Sequence, residues 1–289
     1  MNDNDDVLAR INSIALDDER VRAVILSGSR NNDRIEKDEY QDYDITYLVN
    51  SLSSYKNNSE WIDVFGPKII IQQPNTMIIE GYDVLSEESS IVYLMLLENY
   101  TRIDLRLLSI ESNSIFLDSL SRVIIDKDNK FEVDEIPSDI DYWVKKPTQK
   151  EFLDCCNEFW WVSTYVIKGI ARNESLYAKD MLEGPVRKMF NTMIKWSISE
   201  KYNFTINLGQ SNRFLRKYIE PELWDKISNT YPDIETLNIW YSLDQMMNIF
   251  NDLATNFSNS LKFNYNTVEA VNVMMYNRTR IDEVKFKEK

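Results

Sequence analysis

Residues Val21 to Val49, VRAVILSGSRNNDRIEKDEYQDYDITYLV, decide how the chain is read. Val21, Ala23, Val24, Ile25 and Leu26 form a short apolar run of the kind that makes a buried strand. The run stops at Ser27-Gly28-Ser29, where glycine lets the backbone turn and approach a ligand closely. After a polar loop, Asp42-Tyr43-Asp44-Ile45-Thr46-Tyr47-Leu48-Val49 is rich in β-branched and aromatic residues and predicts a second strand. Alternation along that strand puts Asp42 and Asp44 on one face, about 6–7 Å apart, and Tyr43 and Ile45 on the other. Two carboxylates that close repel unless positive charge lies between them. A hard divalent cation such as Mg²⁺ meets that need, taking oxygen ligands from carboxylates and substrate phosphates. The same acids can also be a solvated strand start; the Gly-Ser turn before them adds a resting place for a phosphate.

Further along, Arg102-Ile103-Asp104-Leu105-Arg106-Leu107 alternates with period two, so that Ile103, Leu105 and Leu107 share one side and Arg102, Asp104 and Arg106 the other. By pattern alone this is either a surface ladder of alternating charge or a strand carrying a third carboxylate.

The Gly28-Ser29 turn followed at a short interval by Asp42-Tyr43-Asp44 resembles the signature of the DNA polymerase beta-like nucleotidyltransferase superfamily. The segments LSGSR, EYQDYDI, TRIDLRLL and KPTQKEFLDCCNEFWWVSTYVIKGIARNE look more specifically like bacterial aminoglycoside 6-adenylyltransferases. The likeness runs from near Leu16 to about Trp240. It implies an enzyme that uses ATP and two Mg²⁺ ions to transfer AMP to a hydroxyl of a cationic aminoglycoside, expected to be the streptomycin 6-hydroxyl, with release of pyrophosphate. It further implies that Asp42, Asp44 and Asp104 hold the metals, that Asp104 helps deprotonate the acceptor, and that Gly28 and Ser29 cradle the phosphates. Arg30 and Lys168 are the candidate cations for the triphosphate; each is equally well read as a solvated surface side chain. A nucleotidyltransferase for another small hydroxyl compound, and a non-catalytic nucleotide-binding relative, stay open as alternatives.

Composition narrows the classes. The chain has 289 residues, 43% hydrophobic and 12% aromatic, enough for packed cores and unlike a disordered chain. Its formal charge of −14, from 47 acids against 33 bases, weighs against binding a nucleic-acid backbone and suits a cationic small molecule. Histidine is absent, which removes Ser-His and Cys-His nucleophile schemes. The two cysteines, Cys155 and Cys156, are adjacent and make no disulfide framework, so a reducing cytoplasm is expected. No N-terminal stretch has the form of a signal peptide, and no apolar run approaches the ~20 residues of a membrane span.

The remaining pattern predicts an α+β protein: a nucleotidyltransferase-type mixed-sheet α/β domain over 1–136, then an all-helical substrate-binding domain over 137–289, with the active site in the cleft between them. An amphipathic helix is expected over Asp3–Leu16, a loop over Asn50–Asn58, a short helix over Glu60–Phe65, strands over Lys68–Gln72 and Thr76–Ile79, and a hairpin over Ile91–Leu108. Leu117–Ile125 is expected to cover the sheet. Ile136-Pro137 to Lys146-Pro147 carries the proline punctuation of a domain junction. Thr148 and Glu151 fit a capping box before a long helix whose apolar positions, from Phe152 to Ile170, keep the 3.6-residue period. Pro185 is expected to open a helix after a break, and further helices are expected near Asn212–Tyr218, Pro221–Asn229, Ile234–Ala254 and Val268–Arg280, with an irregular or short β excursion from Asn203 to Gly209. Trp160, Trp161, Tyr165 and Trp196 are expected to be core more than ligand-stacking rings. Oligomeric state has no sequence signature here.

Overall fold

A computed structural model of the chain describes residues 3–56, 59–79, 90–132 and 136–287. It falls into two compact units, residues 1–141 and 142–289.

In the first unit, helix α1 (Asp3–Asp17) leads through a tight turn into strand β1 (Val21–Ser27). Strands β2 (Tyr43–Val49), β3 (Lys68–Gln72), β4 (Ser90–Leu97), β5 (Arg102–Ser109) and β6 (Arg122–Asp126) join it in a mixed sheet of order β3-β4-β5-β2-β1-β6. Only β2 and β5 run parallel among the described pairs, and that pairing sets the site. Alternation sorts the sheet's two faces. Tyr43, Ile45 and Tyr47 of β2 and Ile103, Leu105 and Leu107 of β5 are buried in one core with Ile11 and Ala15 of α1 and Trp61 and Phe65. The Tyr47 hydroxyl donates to the Ile11 carbonyl at 2.7 Å, tying α1 to the sheet and satisfying a phenol that burial makes a very weak acid. The opposite face has a smaller apolar cluster of Ala23, Ile25, Leu48, Leu108 and Val123. Among the described residues that cluster lies toward the far ends of β2 and β5, away from their first residues, where the acids lie.

Three local expectations are corrected in this unit. Thr76–Ile79 is not a strand: Pro74–Thr76 forms a 3₁₀ turn and Ile78 is almost fully exposed, since proline fixes its own φ and offers no ladder donor. Arg122–Asp126 does not cover the sheet but extends it, pairing antiparallel with β1. Within the expected loop, Ser53–Lys56 forms one helical turn, α2, whose Tyr55 is buried against Trp61.

The second unit is helical. Thr148 caps α3 (Gln149–Ala171): its side chain accepts from the Glu151 amide, while Glu151 accepts from the Thr148 amide, the reciprocal capping box expected from the sequence. The apolar stripe of α3 packs on α7 (Thr236–Leu261), where the Phe159 and Phe250 rings stack at 3.8 Å between centroids. Helix α8 (Thr267–Lys287) adds Asn277, which is buried and donates to Ser163 Oγ at 3.1 Å. Pro185 does not open a helix. Helix α4 (Ser175–Met181) runs through a π segment, Leu182–Val186, into α5 (Arg187–Glu200), and Pro185 sits inside that bulge, whose widened turn tolerates the missing N–H. The stretch expected as a helix near Asn212–Tyr218 is two 3₁₀ turns, Gln210–Asn212 and Leu215–Lys217, before α6 (Pro221–Ser228). Asn203–Gly209 is irregular, with Asn203, Phe204 and Gly209 at positive φ. No described helix is long and apolar enough to cross a membrane.

Candidate active site

The end of β1 and the start of β2 meet because the two strands pair antiparallel, with Ser27 opposite Asp44. Directly after Ser27 the chain enters a 3₁₀ turn, Gly28–Asn31, with Gly28 at φ +76°. A Cβ at Gly28 would overlap Asp44 Oδ2 and lie 3.1 Å from its Cγ. Glycine is therefore required twice, for the left-handed backbone and for the close approach of the Asp44 carboxylate. Asn31, buried, pins the far end of the turn: its Nδ2 donates to the Leu26 carbonyl at 2.7 Å and to Leu120 at 2.8 Å. Ser27 and Ser121 hydroxyls meet at 3.0 Å, so β6 and the residues before it brace the same turn.

Arg30 fastens this turn to the start of β2. Its Nε donates to the Asp42 carbonyl at 3.0 Å, its Nη2 to Gln41 at 2.6 Å, and its guanidinium lies 3.6 Å from the centroid of the Tyr43 ring. Gln41 reaches back to the Ser29 carbonyl at 3.3 Å. Arg30 is thus not a freely solvated cation but a clamp on the backbone that carries Asp42.

The parallel register of β2 and β5 sets Asp44 directly beside Asp104. Asp42 precedes β2 by one residue and belongs, by alternation, to the same face. Between them lies Arg102. Its Nε and Nη2 donate to Asp104 Oδ1 and Oδ2, both at 2.9 Å, a two-pronged pair, and its Nε is 3.6 Å from Asp42 Oδ1. Hydrogen bonding to Asp104 is the first cause that makes the Arg102 guanidinium harder to deprotonate; partial burial opposes it, and the charges of Asp104, Asp42 and Asp44 add to it. One cation therefore feels all three acids. Among the described residues no three His, Cys, Asp or Glu side chains are already gathered as a metal cage.

Lys168 lies on α3 in the second unit, exposed, 5.8 Å from the Tyr165 ring. With Arg172, Asn173, Thr236, Tyr276 and Arg280 it borders a cavity of about 400 Å³. Of the aromatic residues noted in the sequence, Trp160 is buried, whereas Trp161 is exposed and donates to the Tyr165 hydroxyl at 2.9 Å. Arg102, Asn31 and Gln41 are the residues that motif reading passes over. Arg102 had a visible signal, two residues before Asp104 on the same strand face. Asn31 and Gln41 had none, because their partners are backbone carbonyls brought close only by folding.

A glycine turn at a strand end, close against Asp44 beside Asp104 on the adjacent parallel strand, together with the family match and curated relatives below, defines the class as a nucleotidyltransferase. The chain belongs to the streptomycin adenylyltransferase family, whose model matches residues 1–280. It is 38% identical over 255 residues to an aminoglycoside 6-adenylyltransferase of Campylobacter jejuni, covering 88% of this chain and 87% of that protein. It is also 38% identical to the enzyme of the same name from Bacillus subtilis (strain 168), over 87% of this chain and 88% of that one. A crystal structure of an aminoglycoside 6-adenyltransferase from Bacillus subtilis is similar with a TM-score of 0.48 and 31% identity, covering 95% of this chain and 97% of that chain.

Proposed function

We propose that the protein transfers AMP from ATP to a hydroxyl of an aminoglycoside, with the streptomycin 6-hydroxyl as the expected acceptor and pyrophosphate as the second product. The observation that carries the reading is the pairing of Asp44 with Asp104 across β2 and β5, beside a turn in which Gly28 leaves room for the Asp44 carboxylate. The names of the two curated relatives support the acceptor class.

The family likeness implies divalent metal ions, and the residues present suit them. Asp42, Asp44 and Asp104 offer hard carboxylate oxygens, and the Arg102 guanidinium paired with Asp42 and Asp104 supports reading the position as one that favours positive charge. Asp42, Asp44 and Asp104 would hold two Mg²⁺ ions, which when bound supply charge neutralisation of the nucleotide phosphates. The chain's own groups do the remaining work. The Gly28-Ser29 turn, fixed by Asn31, presents backbone amides to the β- and γ-phosphates without a side chain intervening. Arg30 holds Asp42 in position through the backbone and adds positive charge to the same turn. Asp104 accepts the proton of the attacking hydroxyl. An acidic protein, −14 overall, attracts a polycationic acceptor. Two buried free cysteines fit a reducing compartment, and we place the reaction in the cytoplasm.

The test is incubation of the purified chain with ATP, Mg²⁺ and a panel of aminoglycosides, with mass-spectrometric detection of an adenylylated drug. Asp44→Asn and Asp104→Asn should lose at least ~100-fold in turnover while remaining folded by circular dichroism. Near-parental turnover by either variant refutes the site; a product with other aminoglycosides but not streptomycin refutes the acceptor.

A further inference from the structure

We propose that Arg102 is the internal counter-ion of the metal-free site, holding Asp42 and Asp104 in place of divalent cations and leaving them when metal binds. This rests on the metal reading of the three acids given above.

Asp44 and Asp104, side by side in register, with Asp42 on the same face, need compensating charge in every state of the protein, not only when loaded. In this structure Arg102 supplies it: two parallel N–H donors meet both oxygens of Asp104 at 2.9 Å, and Asp42 Oδ1 lies 3.6 Å from the same Nε. The planar fork of arginine is well matched to a carboxylate and fixes its orientation. The same fork is incompatible with a loaded site. Mg²⁺ demands oxygen ligands at about 2.0–2.1 Å in near-octahedral geometry, and a guanidinium engaging both Asp104 oxygens would stand against the ion as a like charge. Arg102 is also able to leave, because its side chain is 49% exposed and sits on a flexible stem next to solvent. A group that pairs only with the metal-free form lowers the apparent affinity for metal, and its removal raises it.

Arg106 provides the control. It lies four residues beyond Arg102 and two beyond Asp104 on the same face of β5 and carries the same charge, without the two-pronged bond that Arg102 makes to Asp104. Mn²⁺ is titrated into the full-length protein, with free ion read by electron paramagnetic resonance, for the parent, Arg102→Gln and Arg106→Gln. A charge-assisted pair of this kind corresponds to roughly a tenfold change in affinity, so Arg102→Gln should bind Mn²⁺ about tenfold more tightly than the parent. Arg106→Gln should change it only about two- to threefold, the effect of charge at a distance. Without metal, Arg102→Gln should melt below the parent; with saturating Mn²⁺ the two should melt together. Arg102→Lys, which keeps the charge and loses the fork, should fall between parent and Gln in affinity and covers the case in which the Gln variant folds poorly. Equal shifts for Arg102→Gln and Arg106→Gln, or weaker Mn²⁺ binding by Arg102→Gln, overturn the counter-ion role. If the parent binds Mn²⁺ and Asp44→Asn loses it while Arg102→Gln is unchanged, the metal reading stands and this inference alone falls. If neither the parent nor Arg102→Gln binds Mn²⁺, both fall.

Discussion

Adding one methyl group at position 28 probes the contact between the Gly28 turn and the Asp44 carboxylate, the proposed phosphate turn and metal-site strand. Gly28 has φ +76°, and an alanine held there carries the left-handed penalty of about 1–2 kcal/mol. The added Cβ would overlap Asp44 Oδ2, so either the turn or the carboxylate has to shift by about 1 Å. If the carboxylate rotates away, an off-rotamer cost of about 0.5–1.5 kcal/mol is added. The sum is about 1.5–3.5 kcal/mol, which for a unit of this size lowers its melting temperature by roughly 5–12 °C. The effect on chemistry should be larger than the effect on folding. A displacement of about 1 Å in a positioning group is able to cost ~100-fold in rate. Gly28→Ala should therefore remain folded at 25 °C by circular dichroism, melt earlier than the parent, and release pyrophosphate from ATP plus acceptor at roughly 1% of the parental rate. The reasoning is refuted if Gly28→Ala keeps both its melting temperature and its turnover. A variant that melts early yet turns over normally would show that the turn moves and Asp44 does not.

Three further outcomes are expected. Arg187, buried, donates to Glu183 at 3.0 and 3.2 Å and to the Thr230 hydroxyl at 2.6 Å, with its guanidinium 4.0 Å from the Tyr231 ring centroid; Arg187→Met should destabilise the helical unit by about 3 kcal/mol in urea denaturation, and a loss below about 1 kcal/mol would deny it that structural role. Thr148→Ala removes the cap of α3 and should cost about 1 kcal/mol by the same measurement, whereas Thr148→Ser should cost much less. For Asp18, burial raises the carboxyl pKa, but the hydrogen bonds from Arg20 and Tyr55 outweigh it and leave the folded value below the ordinary one. A depressed folded pKa means stability present above the unfolded value near 3.9 and lost as pH falls through the folded value. Parent and Asp18→Asn should therefore differ in melting temperature at pH 6 and converge progressively below about pH 4; a difference that persists undiminished at pH 2 would contradict that assignment.

Wherever one residue's type was decisive, the sequence was legible. The Gly-Ser turn, the alternation in YDITYLV and RIDLRLL, and the 3.6-residue stripe of the aromatic helix each follow from local backbone rules, and so does the Thr148–Glu151 cap. Reading failed where a segment's fate depended on a distant partner. Arg122–Asp126 is a strand only because β1 has a vacant edge to pair with. Pro185 stays inside a helix because a π bulge absorbs it, and that bulge is held by the packing of Leu182 and Val186 in the core.

By itself the sequence determined which residues carry charge, which faces of β2 and β5 are apolar, and where glycine frees the backbone. Only the tertiary structure decided that Asp44 stands opposite Asp104, since strand register is a relation between segments some 60 residues apart and leaves no local trace. The same holds for Arg102. Alternation puts it on the acidic face, but its pairing with both Asp42 and Asp104 was settled by the side-by-side placement of two strands.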